Sequence, residues 1–246
     1  MRRFAVISLF GIFLSACHAS AATSDDDYSA DYAAAKTPQT ALKANDKKTV
    51  ATLVPYPYER EYPLPAITNA QDFVANWGDF FDADFTQKIV NDKAEQIGWR
   101  GIQLHHGMIW FADGKIRALN HRTAAFEKKY AALRTAEAAN LYPALQGYLA
   151  RPAQCSTKQH TIRIQQHADG FHYFAWKRGA SMRGKPDLIL TKGEQVYEGN
   201  GGNSHYAFRN GAYRYTLSEP VLCAESCDKI LSVFKGEKEL SSQICE

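Results

Sequence analysis

Apolar positions recur at helical spacing in the middle of the chain and at alternate positions toward its end. From Ala66 the pattern is globular. Asn69 can cap a helix carrying Phe73, Val74 and Trp77. Asp82 or Asp84 can cap a second, with Phe85, Ile89, Val90, Ala94 and Ile97 at its apolar positions. Trp99 to Phe111 alternates and is rich in β-formers. Ala112 to Lys115 makes a turn, and Ile116 to Leu119 returns as a strand. An Ala-rich helix over Thr123 to Asn140 follows, with Phe126, Tyr130 and Leu133 on one face, and Pro143 opens a short turn. Beyond Pro152 short β-forming runs repeat at 161–165, 171–176, 187–191, 195–198, 204–209, 212–217 and 229–234, most of them separated by Gly-containing turns. The expected fold is α+β. Residues 66–150 form a domain of helices packed on an antiparallel sheet, and residues 153–246 form a small all-β sandwich or barrel.

The N-terminus follows different rules. Arg2 and Arg3 precede an apolar run from Phe4 to Ala16, interrupted only by Ser8, Gly11 and Ser15. That run is too short to span a bilayer, which takes roughly twenty residues. It has the length of a signal-peptide core, so residues 1–21 are read as an export signal. Leu14-Ser15-Ala16-Cys17 resembles a bacterial lipobox. The resemblance implies cleavage before Cys17 and a diacylglycerol on its thiol. His18 stands where Asp would retain the protein at the inner membrane, which favours the outer membrane facing the periplasm. Ala19-Ser20-Ala21 is the alternative, a site for ordinary signal peptidase that would release a soluble periplasmic protein. Residues 22–65 begin acidic, become Ala- and Lys-rich and end in Pro55-Tyr56-Pro57-Tyr58 and Tyr62-Pro63-Leu64-Pro65. They read as a disordered tether.

Charge and cysteine content sharpen this picture. A net charge of +3 gives no argument for nucleic acid. From Arg151 to Lys192, however, eight basic residues face only Asp169 and Asp187, a balance of +6. Either this is a basic face or its charges meet acids on later strands. Apart from Cys17, four cysteines lie in the last third: Cys155, Cys223, Cys227 and Cys245. In an exported domain they read as two disulfides rather than a zinc site, because Cys223 and Cys227 lack a second close pair. Of three possible pairings, Cys155–Cys245 would tie the start of the β domain to its end, and Cys223–Cys227 would close a short loop.

Two segments resemble known types. Phe73 to Phe81, then Gly101-Ile102-Gln103-Leu104-His105-His106-Gly107-Met108-Ile109-Trp110-Phe111, then Ile116-Arg117-Ala118-Leu119-Asn120 are similar to small exported bacterial proteins of the NTF2-like or cystatin-like type. The resemblance implies an NTF2-like cone. Tyr173-Phe174-Ala175-Trp176, Lys185-Pro186-Asp187-Leu188, Gly199 to Asn203, Asn210-Gly211 and Tyr213-Arg214-Tyr215 look like a β-module of uncharacterised bacterial proteins. Neither supplies a catalytic motif.

Candidate chemistry is sparse. His105-His106 is the most suggestive pair, with His121 on the next strand. Adjacent strand residues point to opposite faces, so these two cannot easily share a metal, and none is expected. Gly199 to Asn203 reads as a hairpin connection, not a phosphate loop. No Gly-x-Ser-x-Gly or His-Glu-x-x-His occurs. The favoured expectation is a non-catalytic envelope lipoprotein that needs no cofactor and binds a protein partner, as an inhibitor or immunity protein against a periplasm-acting enzyme. Its contact surface would be Lys177, Arg178 and Arg183 with Tyr173 and Trp176. A cell-wall or small-molecule hydrolase, with His105 or His106 paired to Asp79 or Asp82, is the alternative. An envelope assembly factor is the third.

Overall fold

The computed structural model describes residues 28–199, 202–221 and 227–246. The lipobox Leu14–Cys17, the site at Ala19–Ala21 and Cys223 lie outside the described residues. No helix among the described residues is long and apolar enough to cross a membrane.

The chain is α+β. Folding starts earlier than the tether reading allows. Ser29–Lys43 forms helix α1 and Lys47–Thr52 forms α2. Ala34, Ala35, Ala41, Leu42, Val50, Ala51 and Val54 are buried in the N-terminal core. The physical reason is size. Alanines on one face let a helix backbone approach its neighbours closely, and an Ala-rich face carries little hydrophobic signal in the sequence. Pro38 inside α1 hides the helix further, since mid-helix proline removes a donor. Asp31, itself buried, accepts from the Gly114 N–H at 2.7 Å and fixes α1 to the turn after β3 (Ile109–Ala112). Asp46 caps α2 through the Thr49 N–H.

Helices α3 (Ala70–Ala75) and α4 (Ala83–Val90) start at Asn69 and Asp82, whose side chains accept from the N–H groups of Asp72 and Phe85. These helices lie with a four-stranded antiparallel meander in the order β1-β2-β3-β4. Its strands are β1 (Glu95–Gln96), β2 (Ile102–Leu104), β3 and β4 (Lys115–Leu119). Ile102, Leu104, Ile109, Phe111 and Ile116 share one core with Phe73, Phe85 and Ile89 of the helices and Phe81 of the connection before α4. The run from Trp99 to Phe111 is therefore two strands and a turn, not one strand.

Helix α5 (Ala124–Ala138), capped by Thr123, leads through a short 3-10 turn at Pro143–Leu145 into the second sheet. Eight strands follow: β5 (Ala150–Ser156), β6 (His160–His167), β7 (Gly170–Lys177), β8 (Leu188–Glu198), β9 (Asn203–Asn210), β10 (Tyr213–Glu219), β11 (Ile230–Lys235) and β12 (Lys238–Ile244). Each pairs with the next in sequence, so the result is one antiparallel meander curled into a half-barrel. The curl is turned at β8. Its first half pairs with β7, its second with β9, and the register slips between Phe171 and Tyr173. Lys192 sits there at φ +56, and a Cβ on the adjacent Gly193 would stand 2.1 Å from the Phe208 ring. The inner face gathers Ile162, Ile164, Tyr173, Leu190, Tyr206, Phe208, Leu217 and Leu231. The outer face of β6 to β8 is covered by Ala138, Leu141, Leu145 and Tyr148 packed on Phe174, Trp176 and Ile189.

Candidate functional site

The strongest local peculiarity is the β2–β3 turn. His105 and His106 have φ of +51 and +53, followed by Gly107 at +84. Left-handed backbone costs a non-glycine residue about 1 kcal/mol or more, and such strain gathers at functional sites. Because the two histidines occupy a turn, strand alternation does not separate them. Their ring centroids are 5.6 Å apart, and both line a cavity of about 210 Å³ with Asp84, Phe85, Lys88, Met108 and His121.

The carboxylates sort differently from the expectation. Asp92 accepts from the His105 backbone N–H and lies 3.6 Å from its Nδ1. Asp82 pairs with His121 instead, at 3.4 Å from Nε2, while the His121 ring stacks on Phe85 at 3.9 Å. The Phe85 N–H, first, holds the Asp82 carboxyl below its usual range; burial opposes it, and His121 adds to the lowering. Asp79 bonds neither histidine of the turn. It is buried, and its Oδ2 meets the Arg60 guanidinium at 2.7 Å and the Lys129 ammonium at 2.8 Å. Pairing His105 or His106 with Asp79 or Asp82 is thus replaced by Asp92–His105 and Asp82–His121. His121 also lines a second cavity of about 350 Å³ with Tyr58, Arg60, Asn120 and Arg122, so it borders both. Among the described residues no three His, Cys, Asp or Glu side chains converge as a metal site.

A buried polar network joins the two halves and was not foreseen. Glu137 on α5 accepts from Arg163 Nη1 and Nη2 at 2.7 and 3.0 Å, from Tyr148 at 2.6 Å and from Tyr62 at 3.0 Å. Burial pushes the Glu137 carboxyl up, but these hydrogen bonds outweigh it and hold the group below its ordinary value. Arg151 lies over the Tyr62 ring at 3.3 Å. In the orientation that satisfies both ends of its amide, Gln165 accepts from Arg163 and donates to His167 Nε2. The His167 ring stacks on His172, which bonds Asp169 at 2.8 Å. The only sequence signal for all this was Arg163 and Gln165 at alternating positions of an apolar strand.

His167 gives this network an acid limit. Burial first, then the neighbouring His172, lowers its pKa from 6.5 to about 4, and Asp169 opposes weakly. Between these values the unfolded chain binds the proton that the folded chain refuses, so stability present above pH 6.5 is lost as pH falls toward 4. Allowing for solvent screening at a half-buried site, the expected loss is about 1–2 kcal/mol. Urea unfolding at pH 7 and pH 4.5 should show it, and His167→Gln should flatten it. An equal pH slope in the variant would assign the loss to other groups.

The residues expected to form a basic aromatic surface do not do so. Tyr173 is packed inside the curl and Trp176 under the α5 segment, where its Nε1 donates to the Gly184 carbonyl at 3.0 Å. Alternation sends the two rings to opposite faces, and both faces are covered. Arg178 donates to the Thr157 carbonyl and pairs with Glu246, and Arg183 bonds Asn140. Lys177, Arg178 and Arg183 are all exposed, so it is the two aromatic residues that are missing from the surface. Cys155 and Cys245 are joined as expected. The expected Cys223–Cys227 bond falls outside the described residues. β8 and β9 pair antiparallel with Glu198 opposite Asn203, and Asn200 and Gly201 of the expected hairpin connection lie outside the described residues.

Comparison of the chain with protein-family models, with curated proteins and with solved structures finds no match.

Proposed function

We propose that the chain is a non-catalytic protein of the bacterial envelope, held at a membrane by lipid on Cys17, that binds a protein partner as an inhibitor or immunity protein. The observation carrying this reading is where the large apolar side chains meet solvent. Among the described residues seven large apolar side chains are exposed, and five of them, Tyr197, Tyr213, Val221, Leu240 and Ile244, belong to the stretch from β8 to β12, with Tyr32 and Leu149 elsewhere. Among the described residues the outer faces of β9 to β12 join no apolar cluster with a helix, unlike those of β7 and β8. Exposed apolar groups gathered on one uncovered sheet are a feature of docking surfaces. Tyr197 is 68% exposed and Val221 55%, and they stand at the same end, since the Val221 N–H bonds Asn203 at the β8–β9 hairpin. The Cys155–Cys245 bond supports an oxidising compartment. Helices on a four-stranded meander are compatible with the NTF2-like or cystatin-like resemblance.

The test is crosslinked capture from intact envelopes with the tagged full chain, followed by inhibition assays on any captured enzyme. Tyr197→Lys with Val221→Lys should weaken binding at least about tenfold, the loss of roughly one good contact, with the circular dichroism unchanged. Undiminished capture would refute this surface. The strained turn and the Asp82–His121 pair favour a hydrolase as the second reading. His121→Ala separates the two, because it should leave partner binding intact and abolish only a hydrolytic activity.

A further inference from the structure

The cavity of about 350 Å³ beside His121 holds two hydrogen-bond donors that the protein itself does not use, those of Tyr58 and Arg60. Both residues belong to the stretch that reads as a tether but is pinned, because Tyr58 pairs with Ile67 as an isolated β-bridge. The Tyr58 hydroxyl oxygen accepts from the Leu119 N–H at 2.9 Å, while its own O–H meets no acceptor among the described residues. Burial, first, raises its pKa, and the Leu119 N–H and the Arg60 charge oppose this, so the hydroxyl keeps its proton close to a guanidinium. The Arg60 side chain is only 3% exposed. Its Nε donates to the Pro65 carbonyl and its Nη1 to Asp79, but its Nη2 meets no acceptor among the described residues. Nη2 is not sealed off either, since Arg151 Nε is the one fully buried side-chain nitrogen or oxygen without a partner among these residues.

Charge points the same way. Asp79 is shared by Arg60 at 2.7 Å and Lys129 at 2.8 Å, one carboxylate between two cations, and of these two Lys129 reaches solvent while Arg60 does not. Arg122, the other arginine of the cavity, is already held by Glu61 and Glu127, and all three of these residues are exposed, so water and salt screen them. The positive charge left over lies at the buried triad, and a buried guanidinium gains most from an anionic acceptor. Phe80, Leu119 and Phe126 supply the apolar part of the wall. Glu59 and Glu61 also line the cavity, and they would repel a ligand carrying a second negative charge. We propose that this cavity binds a small organic monocarboxylate, which accepts from Arg60 Nη2 and the Tyr58 O–H and lays its apolar body against Phe80, Leu119 and Phe126. A volume of about 350 Å³ is at the small end of ligand sites, which fits a body the size of one ring. The site shares no residue with the Tyr197–Val221 end, so binding of a protein partner there does not depend on it.

Titration of the isotope-labelled full chain with benzoate tests it, followed through the backbone amides of Leu119 and Asn120 by NMR. Their signals should shift and saturate, with a dissociation constant of about 1 mM or below. Benzamide has the same shape without the charge, and inorganic phosphate has charge without the apolar body. Each should bind at least about tenfold more weakly than benzoate. Tyr58→Phe should weaken benzoate by about tenfold or more, the loss of one hydrogen bond to a charged group, with the circular dichroism unchanged. That variant also takes the acceptor from the Leu119 N–H, so a second one works in the opposite direction. Glu59→Gln, at an exposed position, removes a like charge and should tighten benzoate by about two- to fivefold, less at high salt. The proposal is overturned by the absence of a saturable shift, or by benzamide or phosphate binding as tightly as benzoate. Unchanged affinity in a folded Tyr58→Phe variant or in Glu59→Gln would overturn it equally.

Discussion

Glu137→Ala is expected to cost about 3–5 kcal/mol of stability, more than any other single substitution proposed for this chain. The cause lies in what it leaves behind. The Arg163 side chain is 1% exposed, and Glu137 is its carboxylate partner. Arg151, the other cation in the network, lies on the Tyr62 ring and brings no negative charge. Removing the carboxylate strands a buried guanidinium beside a second one, and it takes the acceptor from the Tyr62 and Tyr148 hydroxyls. For a chain of this size the melting temperature should fall by roughly 10 °C.

A second variant separates loss of a partner from loss of attraction. Glu137→Leu with Arg163→Met replaces the pair with apolar groups of similar volume. Buried ion pairs so replaced often lose little, so the double variant should recover much of what Glu137→Ala loses. Recovery should be incomplete, since the two tyrosine hydroxyls still lack their acceptor. Calorimetry of wild type, single and double variants gives the comparison. If Glu137→Ala melts within about 2 °C of wild type, which is under 1 kcal/mol at this size, the network is not what binds α5 to the sheet.

The parts legible in the sequence were those marked by a strong local signal. Asn69 and Asp82 cap helices because a side-chain oxygen in that position satisfies a free N–H, and both are visible as a residue type ahead of an apolar period, Asp82 alongside Asp84; Thr123, read as the first helical residue, is a cap in the same way. Strand after strand of the second sheet was visible as alternation between glycine turns. Its closure was not, because sandwich, barrel and meander share the same alternation and differ only in which strand pairs with which. Helix α1 escaped because Ala34, Ala35 and Ala41 bury little apolar surface each and Pro38 argues against a helix. The histidine turn was misread because β-formers flank it on both sides, and nothing local announces that His105 and His106 take left-handed backbone. Arg163–Glu137 was invisible for a different reason. Its partners are 26 residues apart, and only the packing of α5 on β6 brings them together.

Loss of the Cys155–Cys245 bond is the second change expected to have a large effect, about 2–5 kcal/mol. The bond links residues 90 apart, and a loop of that length restricts the unfolded chain by about 4–5 kcal/mol on the chain-entropy account. Its position adds a second effect. β5 and β12 are the two ends of the sheet order and form no ladder with each other. At this corner the curl is held by the disulfide, by the Glu246 N–H to the Ser156 carbonyl and by Arg178 on Glu246. Cys155→Ala with Cys245→Ala leaves Cys223 and Cys227 untouched, so this bond alone is tested. The urea midpoint should fall, and amide exchange should quicken first in β12 and β11, which are then held to the rest of the sheet without a covalent tie, by strand pairing from β10 and the Glu246 contacts to Ser156 and Arg178. Exchange in the α1–β4 half should change only with global stability. If the double variant stays within about 0.5 kcal/mol of wild type, as substitutions outside stabilising features do, strand pairing alone fixes the curl and the covalent closure adds nothing to it.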